Sequence, residues 1–142
     1  MKVRDIMTQN VIGIGPEESA EVAARTLTHY NIGVLPVCSS DGKLCGVLTD
    51  RDLVIRCMAS GRQPAQTPVK NIMTGQVLSV TPDMDASAAA QLMGSRQIRR
   101  LPVVEQGKVC GMVSLGDIAV RQGEKNLAAE ALNGITANVR RR

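Results

Sequence analysis

The chain contains one sequence pattern twice. VRDIMTQNVIGIGPEESAEVAARTL begins at Val3, and the matching VKNIMTGQVLSVTPDMDASAAAQLM begins at Val69. Matching residues lie 66 positions apart in the first part of each copy, and 65 apart beyond the turns at 39–43 and 105–108. Loops absorb a one-residue deletion at little cost. Two marginally sized copies favour a shared interface, so we expect approximate twofold symmetry with clefts in pairs.

Each copy is predicted to fold as strand, helix, strand, strand, helix, which gives an α+β protein with small sheets packed together and helices outside. In the first copy the expected strands are Val11–Gly15, Val34–Cys38 and Leu44–Thr49, the last two joined by a turn containing Asp41-Gly42. The first helix should begin at Gly15-Pro16-Glu17-Glu18 and run to about His29. The second should run from Asp50 to about Ala59.

The second copy repeats these signals. Thr81 is the expected cap of its first helix and Pro82 the first helical residue. Strands are predicted at Leu101–Glu105 and Lys108–Ser114, followed by a helix from Gly116. Small residues at helical spacing predict the inner faces of the two long helices, namely Ala20, Ala23, Ala24 and Leu27 in the first and Ala86, Ala89, Ala90 and Met93 in the second.

Three segments follow from the repeat. Residues 1–66 are the first predicted domain, with a polar, proline-containing linker at 60–68, and residues 67–122 are the second. The tail 123–142 has no counterpart in the first half. Its composition is helical up to Leu132, then reaches Asn133-Gly134 and ends on three arginines, a pattern that suits docking on a second protomer or fraying.

Composition narrows the classes of function. The net charge is +4, there is no Trp or Phe, and Tyr30 is the single tyrosine. The charge suits an anionic partner, but single-stranded nucleic acid usually needs aromatic stacking platforms. No apolar run approaches the roughly 18 residues that cross a bilayer, and MKVRDIMT carries no signal-peptide core. We therefore expect a cytoplasmic protein without membrane attachment.

Four cysteines, at positions 38, 45, 57 and 110, match neither a zinc-ligand spacing nor a C-x-x-C motif. Core packing is the favoured interpretation, because a thiol in a strand behaves as a small hydrophobe. A metal site or disulfide using Cys38 and Cys45 is the alternative, since both flank one turn.

The candidate site lies where a hairpin strand meets the following helix, at GVLTDRD (46–52) and GMVSLGD (111–117). Thr49 and Ser114 stand at the cap position, with Asp52 and Asp117 three residues later. A helix N-terminus attracts phosphate, and a nearby carboxylate can accept hydrogen bonds from a ribose diol. The same spacing is close to a capping box, which needs no ligand. Both interpretations stay open from spacing alone.

Basic residues distinguish the two copies. Arg99 and Arg100 precede the strand LPV in the second copy, where the first has Gly33 and Val34. Arginine binds phosphate through a charge-assisted fork. The first copy instead has Arg51 where the second has a glycine, so the two clefts should differ in affinity.

These motifs together resemble a tandem pair of cystathionine-beta-synthase (CBS) domains, the Bateman module, over Val3 to about Gln122. IMT followed by a strand and proline, the LPV strands, and the endings GVLTDRD and GMVSLGD carry the resemblance. NIGVLPV, TDRDLVIR and QIRRLPVV are also similar to small bacterial CBS-pair proteins of the hypoxic-response and stress type. The resemblance implies two clefts for adenosine-containing ligands such as AMP, ADP, ATP, S-adenosylmethionine or NAD.

By the same resemblance each motif residue acquires a role. Asp52 and Asp117 would hold ribose hydroxyls, and Thr49 and Ser114 would contact ribose or phosphate. Val47 and Met112 would line the adenine pocket, while Arg99 and Arg100 would reach phosphates. Gly33 and Val34 depart from the arginine pattern, which weakens the expected phosphate grip of the first copy.

The resulting hypothesis is a regulatory, non-catalytic ligand sensor, expected to be a homodimer that acts on an unknown downstream protein. The sequence offers few groups for acid–base or covalent catalysis, because His29 is the single histidine and no nucleophile is matched with a base. A nucleic-acid-binding protein, based on Arg96, Arg99, Arg100 and the 140–142 tail, and a ligand-free structural protein are the alternatives.

Overall fold

The computed structural model describes residues 1–120 and 125–136, and the elements alternate as expected for a duplicated α+β chain. The predicted α+β class is confirmed. The elements are α1 (Ala20–Tyr30), β1 (Val34–Cys38), β2 (Leu44–Thr49), α2 (Asp50–Asp52), which continues as a π-helical segment (Leu53–Met58), α3 (Ala86–Arg96), β3 (Arg100–Glu105), β4 (Lys108–Ser114), α4 (Leu115–Val120) and α5 (Lys125–Thr136), with 3-10 turns at Val3–Asp5, Pro64–Gln66 and Val69–Asn71.

The strands form two separate two-stranded sheets, β1 with β2 and β3 with β4. β1 and β2 are antiparallel, with Val34 opposite Thr49 and a register shift near Cys38. The predicted bounds of β1, β2 and β4 are confirmed, and β3 begins one residue early, at Arg100. Thr49 is the last residue of β2 and Ser114 the last residue of β4, and a helix begins at the next residue in each case.

The strand predicted at Val11–Gly15 is wrong. Only Ile14 pairs there, through an isolated parallel bridge to Val37. The Ile14 N–H donates to the Pro36 carbonyl at 3.0 Å, and the Cys38 N–H donates to the Ile14 carbonyl at 2.9 Å. Pro16 cannot donate to a ladder, so the pairing stops after one residue.

The predicted start of the first helix is also wrong. Residues 16–18 form a turn in which the Gly15 N–H donates to Glu18 Oε2 at 2.7 Å. The helix begins at Ala20, because the Ser19 hydroxyl accepts the Val22 N–H at 3.1 Å and so acts as the cap.

In the second copy Thr81 and Pro82 do not begin the helix. α3 starts at Ala86, with Asp85 at the cap position and no side-chain cap bond. The Ala86 N–H donates instead to the Met1 carbonyl at 2.8 Å. A tertiary contact therefore sets this helix start where the local sequence signal favours an earlier one.

Helix ends differ from prediction in smaller ways. The fourth helix begins at Leu115, one residue before Gly116, and the second copy's tail helix continues through Asn133-Gly134 to Thr136. The linker contains a 3-10 turn, and the buried Thr67 hydroxyl donates to the Gln63 carbonyl at 2.8 Å. No described helix has the length and hydropathy needed to cross a membrane.

The inner faces of α1 and α3 are largely as predicted. Seven of the eight predicted positions are buried, and the eighth, Ala24, is half-buried. The alanines allow α1 and α3 to lie close to the residues beneath them. The core of the second copy contains Leu101 and Val103, and that of the first contains Leu35 and Val37.

The chain forms two compact units that divide the sequence unevenly. The C-terminal unit consists of Met1–Val11, Leu78–Gln106 and the described residues from Cys110 onward, and the N-terminal unit consists of Ile12–Val77 and Gly107–Val109. Val3 and Ile6 are buried in the core of the C-terminal unit. Each copy's opening motif therefore completes a core made mainly by the other copy.

Gly46 and Gly111 show why these opening motifs fit. Thr74 exchanges two backbone hydrogen bonds with Val47, and Thr8 does the same with Met112. A Cβ at Gly46 would lie 2.6 Å from the Thr74 carbonyl oxygen, and one at Gly111 2.7 Å from Met7 Sδ. A side chain at either glycine would push the opening motif away.

We expect Gly46→Ala and Gly111→Ala each to lower the free energy of unfolding by about 1–3 kcal/mol, because the new methyl group overpacks the contact. Urea unfolding followed by circular dichroism measures this effect. Gly75→Ala is the matched control, since a Cβ there meets nothing within 4 Å. Equal midpoints for all three variants would contradict the packing argument.

Candidate functional site

Both candidate motifs form complete capping boxes. The Asp52 N–H donates to Thr49 Oγ1 at 3.0 Å, and the Thr49 N–H donates to Asp52 Oδ2 at 3.0 Å. In the second copy the Asp117 N–H donates to Ser114 Oγ at 3.0 Å, and the Ser114 N–H donates to Asp117 Oδ2 at 2.8 Å. The predicted cap role of Thr49 and Ser114 is confirmed, and one oxygen of each aspartate has a structural task.

The two aspartates differ in their second oxygen. Asp52 is buried, with 8% of its surface exposed, and its Oδ1 lies 3.6 Å from Arg56 Nε. Asp117 is half-buried and forms no ion pair within residues 1–120 and 125–136. Arg121, the sequence counterpart of Arg56, lies outside those residues. The described contacts therefore leave Asp117 Oδ1 free to accept hydrogen bonds.

A cavity of about 540 Å³ opens beside the second capping box, within the C-terminal unit. This volume falls in the range of about 300–1,000 Å³ that small-molecule pockets occupy. Strand and helix ends contribute polar groups on one side, and α4 and α5 contribute apolar ones. The described residues that line it are Arg99, Arg100, Ser114, Leu115, Gly116, Ala119, Ala129 and Leu132.

Within residues 1–120 and 125–136, no carboxylate pairs with the two arginines at this cavity. Arg4, Arg25 and Arg56 each form an ion pair, whereas no described carboxylate lies within 4.0 Å of the nitrogens of Arg99 or Arg100. Both side chains are exposed, so their charges are hydrated rather than buried. Two guanidinium groups that no described carboxylate neutralises can attract an anion to the edge of the cavity, and phosphate suits their fork geometry.

The structure brings together only part of the predicted site. Arg99, Arg100 and Ser114 line the cavity, and Asp117 is tied to Ser114 by two hydrogen bonds. Half-buried Met112, in the same unit, is not a lining residue.

The predicted residues of the first copy belong to the other unit. Val47 is half-buried and pairs with Thr74, and Arg51 is exposed, with its backbone N–H donating to Asp50 Oδ1 at 2.8 Å. Val47 and Arg51 are close in sequence to Thr49 and Asp52, which form the first capping box in the same unit.

Among the lining residues that the structure describes, five were not predicted from the sequence, and two of these lie on α5. Ala129 and Leu132 belong to the tail, whose helical composition was the available signal. That composition predicted a helix but not the surface against which the helix packs.

The four cysteines are free. Burial raises the pKa of the Cys38 thiol, and the nearby Cys45 raises it further. Burial is also the larger cause of the raised pKa of the Cys110 thiol, and the negative charge of Glu105 is the smaller one. Raised pKa values keep these thiols protonated, which lowers their nucleophilicity. No group of three metal-ligating side chains occurs in residues 1–120 and 125–136.

The duplicated strand, capping box and helix define a paired α+β module, and comparison with known proteins identifies its class. The family model described as CBS domain matches residues 3–58 and 69–123. The chain belongs to the CBS domain family. "CBS domain-containing protein YhcV" of Bacillus subtilis is 42% identical over 94% of this chain and 94% of its own length.

Solved structures agree with this assignment. Hypoxic Response Protein I, solved with two coordinated zinc ions, is 33% identical over 84% of this chain and 97% of its own, with a TM-score of 0.78. CBSX2 in complex with AMP is 30% identical over 82% of this chain and 91% of its own, with a TM-score of 0.72. The CBS domain pair of MJ0100, solved with 5-methylthioadenosine and S-adenosyl-L-methionine, is 29% identical over 84% of this chain and 93% of its own, with a TM-score of 0.75. The resemblance to hypoxic-response CBS-pair proteins is confirmed.

Proposed function

We propose that this protein is a cytoplasmic, non-catalytic sensor that binds an adenosine-containing nucleotide in the cavity of its C-terminal unit. The observation that carries the proposal is the position of Arg99 and Arg100, which pair with no described carboxylate, at the edge of a ligand-sized cavity beside the Ser114–Asp117 capping box. The relatives solved with AMP or with S-adenosyl-L-methionine support this ligand class.

Each part of the site has a proposed task. Arg99 and Arg100 hold the phosphate. Asp117 Oδ1, which has no partner among the described residues, accepts hydrogen bonds from the ribose hydroxyls while Oδ2 keeps its bond to the Ser114 N–H. Met112 keeps its adenine role only from the CBS resemblance, because it does not line the cavity. The proposed ligand is AMP, ADP or ATP, with S-adenosylmethionine or NAD as the related alternatives.

A second, weaker site is proposed at the first capping box, formed by Val47, Thr49, Arg51 and Asp52. Both oxygens of the Asp52 carboxylate already have partners, the Thr49 N–H and Arg56. A ribose diol would have to compete with these contacts, so its affinity is lower. We retain 1–66 and 67–122 as the proposed domains and 123–142 as the tail.

Regulation follows if the ligand favours one conformation or one assembly of the protein over another, since only differential affinity shifts such an equilibrium. We propose a homodimer that transmits this shift to a downstream protein. Catalysis has no support in the described contacts of His29, which is exposed and stacks edge-on with Tyr30 at 4.7 Å between ring centroids.

Calorimetric titration of the intact protein tests the proposed function. We expect AMP to bind at least about tenfold more tightly than adenosine, because charge-assisted hydrogen bonds from arginine contribute about 1.5–3 kcal/mol each. Chromatography after incubation should recover the AMP unchanged. Absence of binding heat with all five ligands, or conversion of AMP, would contradict the proposal.

A further inference from the structure

α5 lies wholly beyond the second CBS match, which ends at residue 123, yet it lines the proposed nucleotide cavity. We propose that α5 is a ligand-binding wall of this site, and that its docking on α3 is coupled to nucleotide binding. This inference rests on the proposed function. It assigns the tail a role that the two repeats do not supply.

The docking contact is a close approach of two glycines. A Cβ at Gly134 would lie 2.6 Å from the Gly94 carbonyl oxygen, and a Cβ at Gly94 would lie 3.1 Å from Ala131 Cα. Ala131 is buried in the core of the C-terminal unit, and Gln97 Nε2 donates to the Gly134 carbonyl at 3.2 Å. The backbones of α3 and α5 thus meet directly, and any side chain at Gly134 would separate them.

Two other side chains of α5 line the cavity. Ala129 and Leu132 are exposed, and Leu132 leaves 43% of its surface open despite its apolar character. Arg99 and Arg100 line the same cavity with positive charge. A ligand with an anionic end and an apolar body could satisfy both kinds of lining, and it would bury Leu132.

Docking and binding are then linked. If docked α5 raises the affinity for the nucleotide, the bound nucleotide must stabilise docked α5 by the same factor. The state of the tail would therefore report ligand occupancy to any partner that contacts it.

Gly134→Ala tests the coupling, with Gly75→Ala as the matched control because it adds the same methyl group in open space. We expect Gly134→Ala to weaken AMP binding at least about fivefold, the lower end of typical coupling between sites. Amide hydrogen exchange in 129–136 should accelerate in this variant. In the unaltered protein, saturating AMP should slow the same amides.

A second pair of variants covers the case in which Gly134→Ala does not fold. Leu132→Asp places a negative charge on the cavity wall, and Asn133→Asp places it on the neighbouring exposed position, which does not line the cavity. We expect Leu132→Asp to weaken AMP binding at least about fivefold, a typical coupling, and Asn133→Asp to leave it within twofold. Circular dichroism verifies the fold of each variant.

The outcomes separate the two proposals. If the unaltered protein binds none of the five adenosine-containing ligands, the proposed function fails and this inference fails with it. If it binds AMP but folded Gly134→Ala or Leu132→Asp binds AMP equally well or more tightly, the inference is overturned and the proposed function stands. Unchanged exchange in 129–136 on addition of bound AMP would also overturn the coupling.

Discussion

AMP binding is expected to fall by at least about a hundredfold when Arg99 and Arg100 are both replaced by alanine. Each guanidinium can contribute about 1.5–3 kcal/mol through charge-assisted hydrogen bonds to phosphate, and every 1.4 kcal/mol changes affinity tenfold. Both side chains are exposed, so their removal leaves no buried group without a partner. Calorimetry with AMP measures the loss.

Arg96→Ala is the matched control for this experiment. Arg96 is also exposed, in the last turn of α3, but it does not line the cavity. Its removal reduces the net charge without touching the site, so affinity should change less than about twofold once salt screens the long-range attraction. Replacing both cavity arginines with lysine should restore part of the affinity, since lysine keeps the charge but loses the fork.

The pair could matter for stability rather than for binding, and urea unfolding distinguishes these roles. We expect the double alanine variant to keep the unfolding midpoint of the unaltered protein. A variant that binds AMP as tightly as the unaltered protein would contradict the proposed phosphate site. A variant that loses both binding and fold would contradict the surface position of these arginines.

The hairpins were predictable because their determinants are local. β2 alternates buried and less buried residues, β1 has three consecutive buried residues, and between them Gly42 has φ +85°, which favours glycine. The second turn places Gln106 and Gly107 at φ +53° and +81°. Strand bounds encoded by such turns are readable without knowledge of the rest of the fold.

Helix starts were predicted less well because their determinants are partly distant in sequence. Proline followed by acidic residues favours a helix start at Pro16, but the Ser19 cap gives the backbone a later alternative. In the second copy the competing partner is the Met1 carbonyl, which accepts the Ala86 N–H. No pattern near residue 86 indicates that contact.

The candidate site shows the same division. The capping boxes at Thr49 and Ser114 were readable from spacing, and the structure contains both. Capping does not exclude binding, since each bond to the cap uses only one carboxylate oxygen. The Asp52–Arg56 contact has the i,i+4 spacing of a helical ion pair and was overlooked, whereas no local pattern indicated the cavity that α5 forms beside Ser114.

The second large effect concerns the two cores. Leu35 and Leu101 occupy equivalent positions of the repeat, and both are fully buried. We expect Leu35→Ala and Leu101→Ala each to lower the free energy of unfolding by about 2–5 kcal/mol, through lost burial and the cavity left behind. Such a loss is a large fraction of a typical domain stability of about 5–15 kcal/mol. Urea unfolding followed by circular dichroism measures it.

Met58→Ala is the control for this pair, because it also removes three side-chain heavy atoms but from a residue that is 68% exposed. Its effect on the free energy of unfolding should stay within about 0.5 kcal/mol, as for surface substitutions generally.

Each core contains the opening motif of the other copy, with Ile72 in the core around Leu35 and Ile6 in the core around Leu101. Opening of the N-terminal unit should therefore release residues 69–77, so hydrogen exchange at these residues should accelerate in Leu35→Ala. If exchange accelerated only within 12–58, the proposed dependence of the 69–77 segment on the Leu35 core would be refuted.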